Sequence, residues 1–265
     1  MNDTVLLATN GAVATLTLNR PPALNALDFA MVDGLIERTQ AIAADERIRV
    51  VVLRGAGRHF MAGGDIRVFA ESLDADAASR TASFQRMVER VHVAIETLAR
   101  MPQPVIGRVQ GAVAGFGLSL ANACDLVFAG EDAYFASAYL QIAVTPDGGG
   151  TWWLPRIVGA RKAAEILMLG ERFGAREAEA LGLVNRVVPA AALDAAVDEA
   201  AQRLAAHPTL ALRNLKRLLR GSSGQSLSGQ LQAEAQSFGQ CTGTKDFAEG
   251  ITAFLAKRAP RFHAD

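Results

Sequence analysis

The sequence has no excess of either charge and little cysteine. Its 265 residues include 27 Lys and Arg against 27 Asp and Glu, so the formal net charge at pH 7 is zero. Proteins that wrap nucleic acid or bind membrane surfaces by electrostatics need a surplus of basic residues, so we expect neither kind of partner. Two cysteines, Cys124 and Cys241, are too few for a disulfide framework or a cysteine-based metal cluster. We therefore expect reduced thiols and no metal site.

Long hydrophobic runs are also missing. The most apolar window, Ala112–Gly130, is interrupted by Ser119, Asn122 and Asp125, whereas a membrane-spanning helix needs about 20 apolar residues in succession. The first residues do not combine a basic stretch with an apolar one, as a secretory signal peptide does. The sequence predicts a cytoplasmic protein that does not enter a membrane.

Half of the residues are apolar, and they alternate between short strands and amphipathic helices. Asn10-Gly11 predicts a tight turn between the first two strands, and Asp28 can cap the first helix with its side-chain oxygen. Strands alternating with helices, followed by helices alone, are typical of an α/β core with a helical appendage. We place the core at residues 1–198 and the helical subdomain at 199–265. The predicted strands are Val5–Asn10, Ala12–Leu18, Val50–Leu53, Val105–Val109, Leu126–Ala129, Tyr134–Ala136 and Val184–Val188, and the longest predicted helix is Ser79–Met101.

Three glycine-containing loops each lie between a strand and a helix: His59–Asp65, Gly111–Gly117 and Pro146–Gly150. Glycine lets the backbone approach a ligand closely, and the first turn of a helix carries N–H groups without an internal partner. Two such N–H groups directed at one oxygen form an oxyanion hole. Turn formation and helix packing would also account for these glycines. None of the loops is completed by the Lys-Ser/Thr of a Walker phosphate loop.

Several motifs along the chain resemble those of the crotonase, or enoyl-CoA hydratase/isomerase, superfamily. The resemblance depends on the ordered set more than on any single piece. Asn19–Leu27 resembles the N-terminal signature and Phe60–Ile66 the first oxyanion-hole loop. The remaining matches are Pro104–Gly117 with Cys124-Asp125, which resembles the second oxyanion-hole loop, and the later landmarks Ala180–Val184 and Phe254–Arg258.

The resemblance implies a spiral of ββα units capped by C-terminal α-helices that assemble a homotrimer, often doubled to a hexamer. It also implies an acyl-CoA substrate and no cofactor besides the coenzyme A that the substrate carries. The backbone N–H groups of Gly64 and Phe116 would hold the thioester oxygen. Phe116 replaces the glycine usual at its position, and we expect its benzyl group to narrow the pocket. The other residues implied in substrate binding are Leu24, Ala62, Asp65, Ile66, Arg67 and, near the phosphates of coenzyme A, Lys257 with Arg258 beside it.

The acid–base residues depart from the superfamily pattern. Its hydratases use two glutamates, and the matching positions here are Ser119 and Tyr139. Neither is ionised at neutral pH, since tyrosine titrates at about 10, so a two-glutamate hydratase is disfavoured.

Asp147 lies where isomerases of the superfamily have an acid, and its loop Pro146–Pro155 looks like that of 1,2-epoxyphenylacetyl-CoA isomerases. A single buried carboxylate can move a proton between carbons, which favours double-bond or epoxide isomerisation.

His92 and Asp147 open a second interpretation. They match the helix histidine and the nucleophilic aspartate of 4-chlorobenzoyl-CoA dehalogenases in the superfamily, and Tyr139 stands where those enzymes have a tryptophan. Dehalogenation or thioester hydrolysis is then an alternative, as are enoyl-CoA hydration and acyl-CoA binding without turnover. Simpler roles stay open: Asp147 as a helix cap, and His92 as a half-buried side chain bonded to the backbone. Lys216 and Arg217 are expected to be surface charges.

Overall fold

The computed structural model describes residues 3–262. The strands are β1 (Val5–Asn10), β2 (Val13–Leu18), β3 (Val50–Gly55), β4 (Val105–Val109), β5 (Ala112–Ala114), β6 (Leu126–Gly130), β7 (Tyr134–Ala136), β8 (Phe173–Gly174) and β9 (Arg186–Val188). The α-helices are α1 (Phe29–Ala44), α2 (Ile66–Glu71), α3 (Ala77–Arg100), α4 (Phe116–Asn122), α5 (Gly150–Val158), α6 (Ala160–Leu169), α7 (Ala175–Ala180), α8 (Leu193–Ala205), α9 (Thr209–Ser222), α10 (Leu227–Thr242) and α11 (Lys245–Leu255).

The main sheet has six strands in the order β1-β2-β3-β4-β6-β9. β1 and β2 form an antiparallel hairpin with Asn10 opposite Val13, and every later neighbour pairs in parallel. Parallel strands are usually buried on both faces, which agrees with the continuous apolar run Val50–Leu53 in β3. A second sheet pairs β5 with β7 in parallel and β7 with β8 antiparallel.

Helices cover both faces of the main sheet. α1 and α3 pack together on one face, where Leu35 and Val91 join the large core cluster that contains Leu53. α8 covers the other face, where Leu193 joins a second cluster with Val52. Because β3 and β4 run parallel, the loops that follow their carboxyl ends leave the sheet at the same edge. Two of the three glycine loops therefore meet there.

The predicted α/β fold is confirmed, and each predicted strand lies within two residues of its observed bounds. The sequence does not predict β5 and β8, because β5 falls within the segment interpreted as the second glycine loop and the two residues of β8 are too few to show an alternation of apolar side chains. α3 begins at Ala77 and not at Ser79, since the Asp76 side chain accepts from the Ser79 N–H and caps the helix. The cap predicted at Asp28 is present, accepting from the Met31 N–H.

A buried lysine ties α9 to the core. Lys216 is 7% exposed, and its Nζ donates to the Leu98 and Gln103 carbonyls and pairs with Asp125 at 2.8 Å. The prediction that Lys216 is a surface charge is therefore wrong: these partners meet the requirement of a buried ammonium. Arg217 is exposed, as predicted. The domain boundary predicted after residue 198 falls inside the continuous helix α8, and that division stays a prediction.

The C-terminal helices expose large apolar side chains. These are Leu219, Leu227, Phe238, Phe254 and Leu255, between 66% and 81% exposed. No helix in the described part of the chain is long and apolar enough to cross a membrane. Within residues 3–262, no group of three or more His, Cys, Asp and Glu side chains is placed to hold a metal ion.

Candidate active site

A buried asparagine fixes the loop between β3 and α2. The Asn25 Nδ2 donates to the carbonyls of Ala56, His59 and Phe60, and its Oδ1 accepts from the Arg20 N–H. An amide suits this task because it offers both donors and an acceptor. Asn25 is fully buried in a left-handed conformation that asparagine tolerates. The turn that contains it therefore anchors the first glycine loop.

The segment after this turn leaves one loop N–H without a partner. The Leu27 N–H donates to the Gly63 carbonyl, and the Asp65 N–H donates to the Leu27 carbonyl. These bonds form a short parallel bridge between Leu27 and Gly64. The Gly64 N–H lies between them and donates to no group within residues 3–262, so it is available to a ligand.

The second glycine loop lies against the first. Gly63 and Gly115 have positive φ values of +88° and +53°, and a Cβ on Gly115 would lie only 3.3 Å from the Gly63 Cα. Glycine permits both the conformation and the approach. Phe116 is the first residue of α4, so its N–H is one of the unpaired donors of that helix. Gly64 and Phe116 therefore place two main-chain donors on neighbouring loops.

The predicted substrate-binding residues lie around the first loop. Leu24 is 42% exposed, and its carbonyl accepts from the Ala62 N–H. Ile66 and Arg67 are exposed at the start of α2.

Asp65 is held by structural contacts. Its buried carboxylate accepts from the Arg67 N–H, which caps α2, and pairs with Arg20 at 2.8 Å. Burial alone would raise the pKa of Asp65, but the hydrogen bonds from Arg20 and from the Arg67 N–H outweigh it and lower the pKa. Asp65 therefore stays ionised and bonded within the protein, and its contact with substrate stays a prediction.

The third glycine loop carries a half-buried carboxylate, that of Asp147. The Tyr139 Oη donates to the Asp147 Oδ1 at 2.6 Å, and the Ser119 Oγ lies 3.3 Å from the Tyr139 Oη. Gly149 is the N-cap of α5, with no side-chain bond, so Asp147 does not cap that helix. The two hydroxyls at the glutamate positions of the superfamily therefore accompany the one carboxylate of this loop.

His92 reaches the same loop from α3. Its Nε2 accepts a hydrogen bond from the Gly148 N–H at 3.1 Å, which is the backbone contact considered among the simpler roles above. Phe116 is 1% exposed, and a Cβ on Gly148 would lie 2.9 Å from its ring. The benzyl group therefore packs beneath Gly148 and supports the loop from inside the core.

Burial dominates the electrostatics of this cluster. It raises the pKa of Asp147 above the ordinary aspartate value, against the opposing effect of the Tyr139 hydrogen bond. Burial and the Asp147 charge also raise the pKa of Tyr139, so the phenol stays protonated and donates. A carboxylate with a raised pKa accepts and returns a proton near neutral pH more readily than an ordinary aspartate.

Comparisons with known proteins give the family. The model of the enoyl-CoA hydratase/isomerase family matches residues 8–265. The chain belongs to this family. It is 35% identical over 263 residues to 1,2-epoxyphenylacetyl-CoA isomerase of Escherichia coli K12, covering 99% of each chain. It is 37% identical over 250 residues to 2,3-dehydroadipyl-CoA hydratase of the same organism, covering 94% of each. An enoyl-CoA hydratase from Bacillus anthracis has the same fold, with a TM-score of 0.93 at 31% identity over 99% of this chain and 100% of that one.

Membership of the enoyl-CoA hydratase/isomerase family identifies an enzyme that acts on coenzyme A thioesters. An isomerase and a hydratase are similar to this chain to nearly the same degree, at 35% and 37% identity. Overall similarity therefore leaves the reaction open, and the side chains at the site have to distinguish the two.

The structure gathers most of the predicted site residues of this family member. Gathered around the three glycine loops are Gly64, Phe116, Ser119, Tyr139, Asp147 and His92. Lys257 lies beyond α11, which packs on α10. Its neighbour Arg258 pairs with Glu249 at 2.6 Å. The contact of Lys257 with coenzyme A stays a prediction.

Two residues that shape the site, Asn25 and Phe69, are difficult to identify from the sequence. Asn25 lies within the signature Asn19–Leu27, but only the fold shows which carbonyls it binds. The Phe69 ring lies over Gly64, where a Cβ would be 2.7 Å from it, and it pairs with Phe84 of α3 at a centroid distance of 4.8 Å. Because these rings belong to different helices, no local pattern predicts their contact.

Proposed function

We propose that the chain isomerises an unsaturated or epoxide-derived acyl-CoA by proton transfer through Asp147. The observation that carries the proposal is the Asp147 carboxylate, which is half-buried and bonded to the Tyr139 hydroxyl beside the loop of Phe116. Within residues 3–262 no Lys or Arg pairs with it, whereas Arg20 neutralises Asp65. Asp147 is therefore the carboxylate that is able to exchange a proton with a substrate.

The proposed reaction begins with the thioester oxygen between the N–H groups of Gly64 and Phe116. Asp147 takes a proton from a carbon of the acyl chain, and the electron pair of that C–H bond moves into a conjugated enolate. Each main-chain donor stabilises the resulting oxyanion by about 3 kcal/mol. Protonated Asp147 then returns its proton to another carbon, so that product and substrate have the same composition.

The same contacts support hydrolysis and two-carboxylate hydration less well. In hydrolysis by Asp147 and His92, the imidazole would activate a water, but its Nε2 is already engaged by the Gly148 N–H. Hydration in this family uses two glutamates, and here the hydroxyls of Ser119 and Tyr139 contact each other at those positions. Neither hydroxyl is a base at neutral pH.

We propose further that the acyl group carries a ring. The paired rings of Phe69 and Phe84 lie beside Gly64, whose N–H is a proposed oxyanion donor. Aromatic side chains favour stacked or edge contacts with another ring. Similarity to an isomerase whose named substrate carries an epoxidised six-membered ring supports the same choice.

Mass spectrometry in oxygen-18 water separates the candidate reactions. The protein is incubated with 1,2-epoxyphenylacetyl-CoA, a straight-chain 2-enoyl-CoA and a straight-chain 3-enoyl-CoA. Isomerisation gives a product of unchanged mass and new retention time, hydration adds one labelled water, and thioester hydrolysis releases free coenzyme A. We expect isomerisation, fastest with the ring-bearing substrate. Incorporation of labelled water, or release of coenzyme A, as the main outcome would overturn the proposal.

The pH dependence of Tyr139→Phe tests the role of the carboxylate as base. Activity requires deprotonated Asp147, so kcat/KM falls as the pH drops through the pKa of this group. The Tyr139 hydrogen bond lowers that pKa, so its removal raises the pKa and activity is lost at a higher pH. Profiles of kcat/KM for both proteins measure the displacement. An acid limb that stays in place or moves to lower pH would contradict the assignment.

We also propose that the C-terminal helices assemble the chain into a trimer or a hexamer of two trimers. The exposed apolar side chains of α9–α11 support this, since large exposed apolar surfaces are typical of interfaces. Light scattering on the purified protein tests it, and a monomeric mass would refute it.

A further inference from the structure

The peptide bond between Asp147 and Gly148 is held at both of its polar groups. Its carbonyl accepts from the Ser119 Oγ at 2.8 Å and from the Gly150 N–H at 3.0 Å. Its N–H donates to the His92 Nε2 at 3.1 Å. Ser119 belongs to α4 and His92 to α3, so two separate helices fix the plane of one peptide.

The orientation of this peptide plane restricts the direction in which the Asp147 side chain leaves the backbone. The peptide plane determines the ψ angle of Asp147 and the φ angle of Gly148, which is +58°. Gly148 is also confined, because the Phe116 ring and the Ser119 Cβ would each lie 2.9 Å from a Cβ at this position. The Tyr139 hydrogen bond restrains the carboxylate itself. The orientation of Asp147 is thus determined by its backbone as well as by its side-chain partner.

The hydrogen bond also determines the form of the His92 ring. A ring nitrogen that accepts an N–H bond carries no proton, so in the neutral ring the proton is on Nδ1. Nδ1 then has no lone pair to offer, and that of Nε2 is already in use. In this arrangement His92 has no free basic nitrogen for a water or a substrate.

We propose that His92 and Ser119 are positioning residues that act on the reaction through the Asp147–Gly148 peptide. The inference rests on the proposed function, in which Asp147 exchanges a proton with the acyl chain. Small errors in the placement of a reacting group cost large factors in rate. The hydrogen bonds of His92 and Ser119 to the Asp147–Gly148 peptide, here called the clamp, hold this group in place from two helices. His92 needs an acceptor at Nε2 for this role, and proton transfer is not part of it.

A pair of substitutions at His92 separates an acceptor from a base. The Gln Oε1 extends as far along the side chain as the His Nε2 and accepts a hydrogen bond, whereas phenylalanine keeps a ring without an acceptor. We expect His92→Gln to keep kcat within about threefold and His92→Phe to lose about thirtyfold, with KM within about twofold in both. Equal and severe losses in the two variants would show that the ring transfers a proton. An unchanged kcat in His92→Phe would also overturn the proposal.

Ser119→Ala tests the other side of the clamp. It removes the bond to the Asp147 carbonyl, while the Gly150 N–H still donates to that oxygen. We expect a loss in kcat of about tenfold, smaller than that of His92→Phe, with little change in KM. A loss confined to KM would assign Ser119 to substrate binding instead.

Hydrogen exchange of the loop amides measures the effect of the clamp independently of enzyme activity. The peptide that covers residues 146–150 should exchange slowly in the wild type and in His92→Gln, and faster in His92→Phe, while the remaining peptides and the melting temperature stay unchanged. Unaltered exchange in His92→Phe would refute the clamp and leave Asp147 as the proton carrier. Full activity of Asp147→Asn would refute the proposed function, and the exchange result would still stand.

Discussion

Replacing Asp147 with asparagine is expected to lower kcat by roughly 10³, inside the range of about 10²–10⁴ that general acid–base groups contribute. Asparagine has nearly the same size and keeps an oxygen that accepts from the Tyr139 Oη, so the contacts of the loop should persist. Its amide takes no proton at neutral pH. KM should change little, because the main-chain donors of Gly64 and Phe116 are untouched. Steady-state kinetics with the preferred acyl-CoA measure both constants.

Asp198→Asn is the matched control for this prediction. Asp198 is exposed on α8, so the same change of charge and shape should leave kcat within about twofold, as for most surface substitutions. If Asp147→Asn retained kcat to the same extent, Asp147 would not carry the proton. A large rise in KM with kcat unchanged would make it a substrate-binding residue.

Asp125→Asn is expected to lower the free energy of unfolding by about 3 kcal/mol, as removal of one partner of a buried ion pair does. Asp125 accepts from the Val105 N–H, pairs with Lys216 at 2.8 Å and with Arg220 at 2.9 Å. Burial already lowers the pKa of Lys216, and without the carboxylate only carbonyls would face its ammonium. Urea unfolding at fixed protomer concentration measures the change.

Asp194→Asn is the matched control, because it removes the carboxylate of an exposed ion pair. Asp194 pairs with Arg108 at 2.6 Å, but its side chain is 67% exposed, and exposed pairs contribute about 0–1 kcal/mol. We therefore expect a small change in the free energy of unfolding. Equal losses in the two variants would mean that burial does not distinguish the pairs, and that α9 is not anchored through Asp125.

Local signals in the sequence account for most of the fold. The hairpin at Asn10-Gly11 and the cap at Asp28 are formed as predicted, because both depend on residues a few positions apart. β5 and β8 depend on pairing with β7, which is distant in sequence from each of them. The burial of Lys216 likewise depends on residues that are distant in sequence. Its partners come from α3, from the segment after α3 and from Asp125 just before β6, so its burial follows from tertiary structure alone.

In the candidate site, too, some residues are predicted by local motifs and others are identified only from the tertiary structure. Motifs predict the glycine loops and Asp147, since close backbone approach and proton transfer each need a particular residue type. The sequence does not predict that Phe116 turns its ring beneath Gly148, or that the Phe69 ring covers Gly64. Nor does it decide between the two roles of His92, whose partner is a backbone N–H 56 positions away. Such contacts follow from the packing of whole helices.

The proposed oxyanion donors, Gly64 and Phe116, have a consequence for how this site can evolve. Both are main-chain N–H groups, and no substitution except proline removes a main-chain N–H. Phe116 illustrates this, since a large side chain occupies a position usually held by glycine while the donor is retained. The side chains proposed to handle protons are in contrast few and separately replaceable. A lineage can therefore acquire a new reaction by exchanging a handful of side chains, while the main-chain donors proposed to stabilise charge are inherited with the path of the backbone.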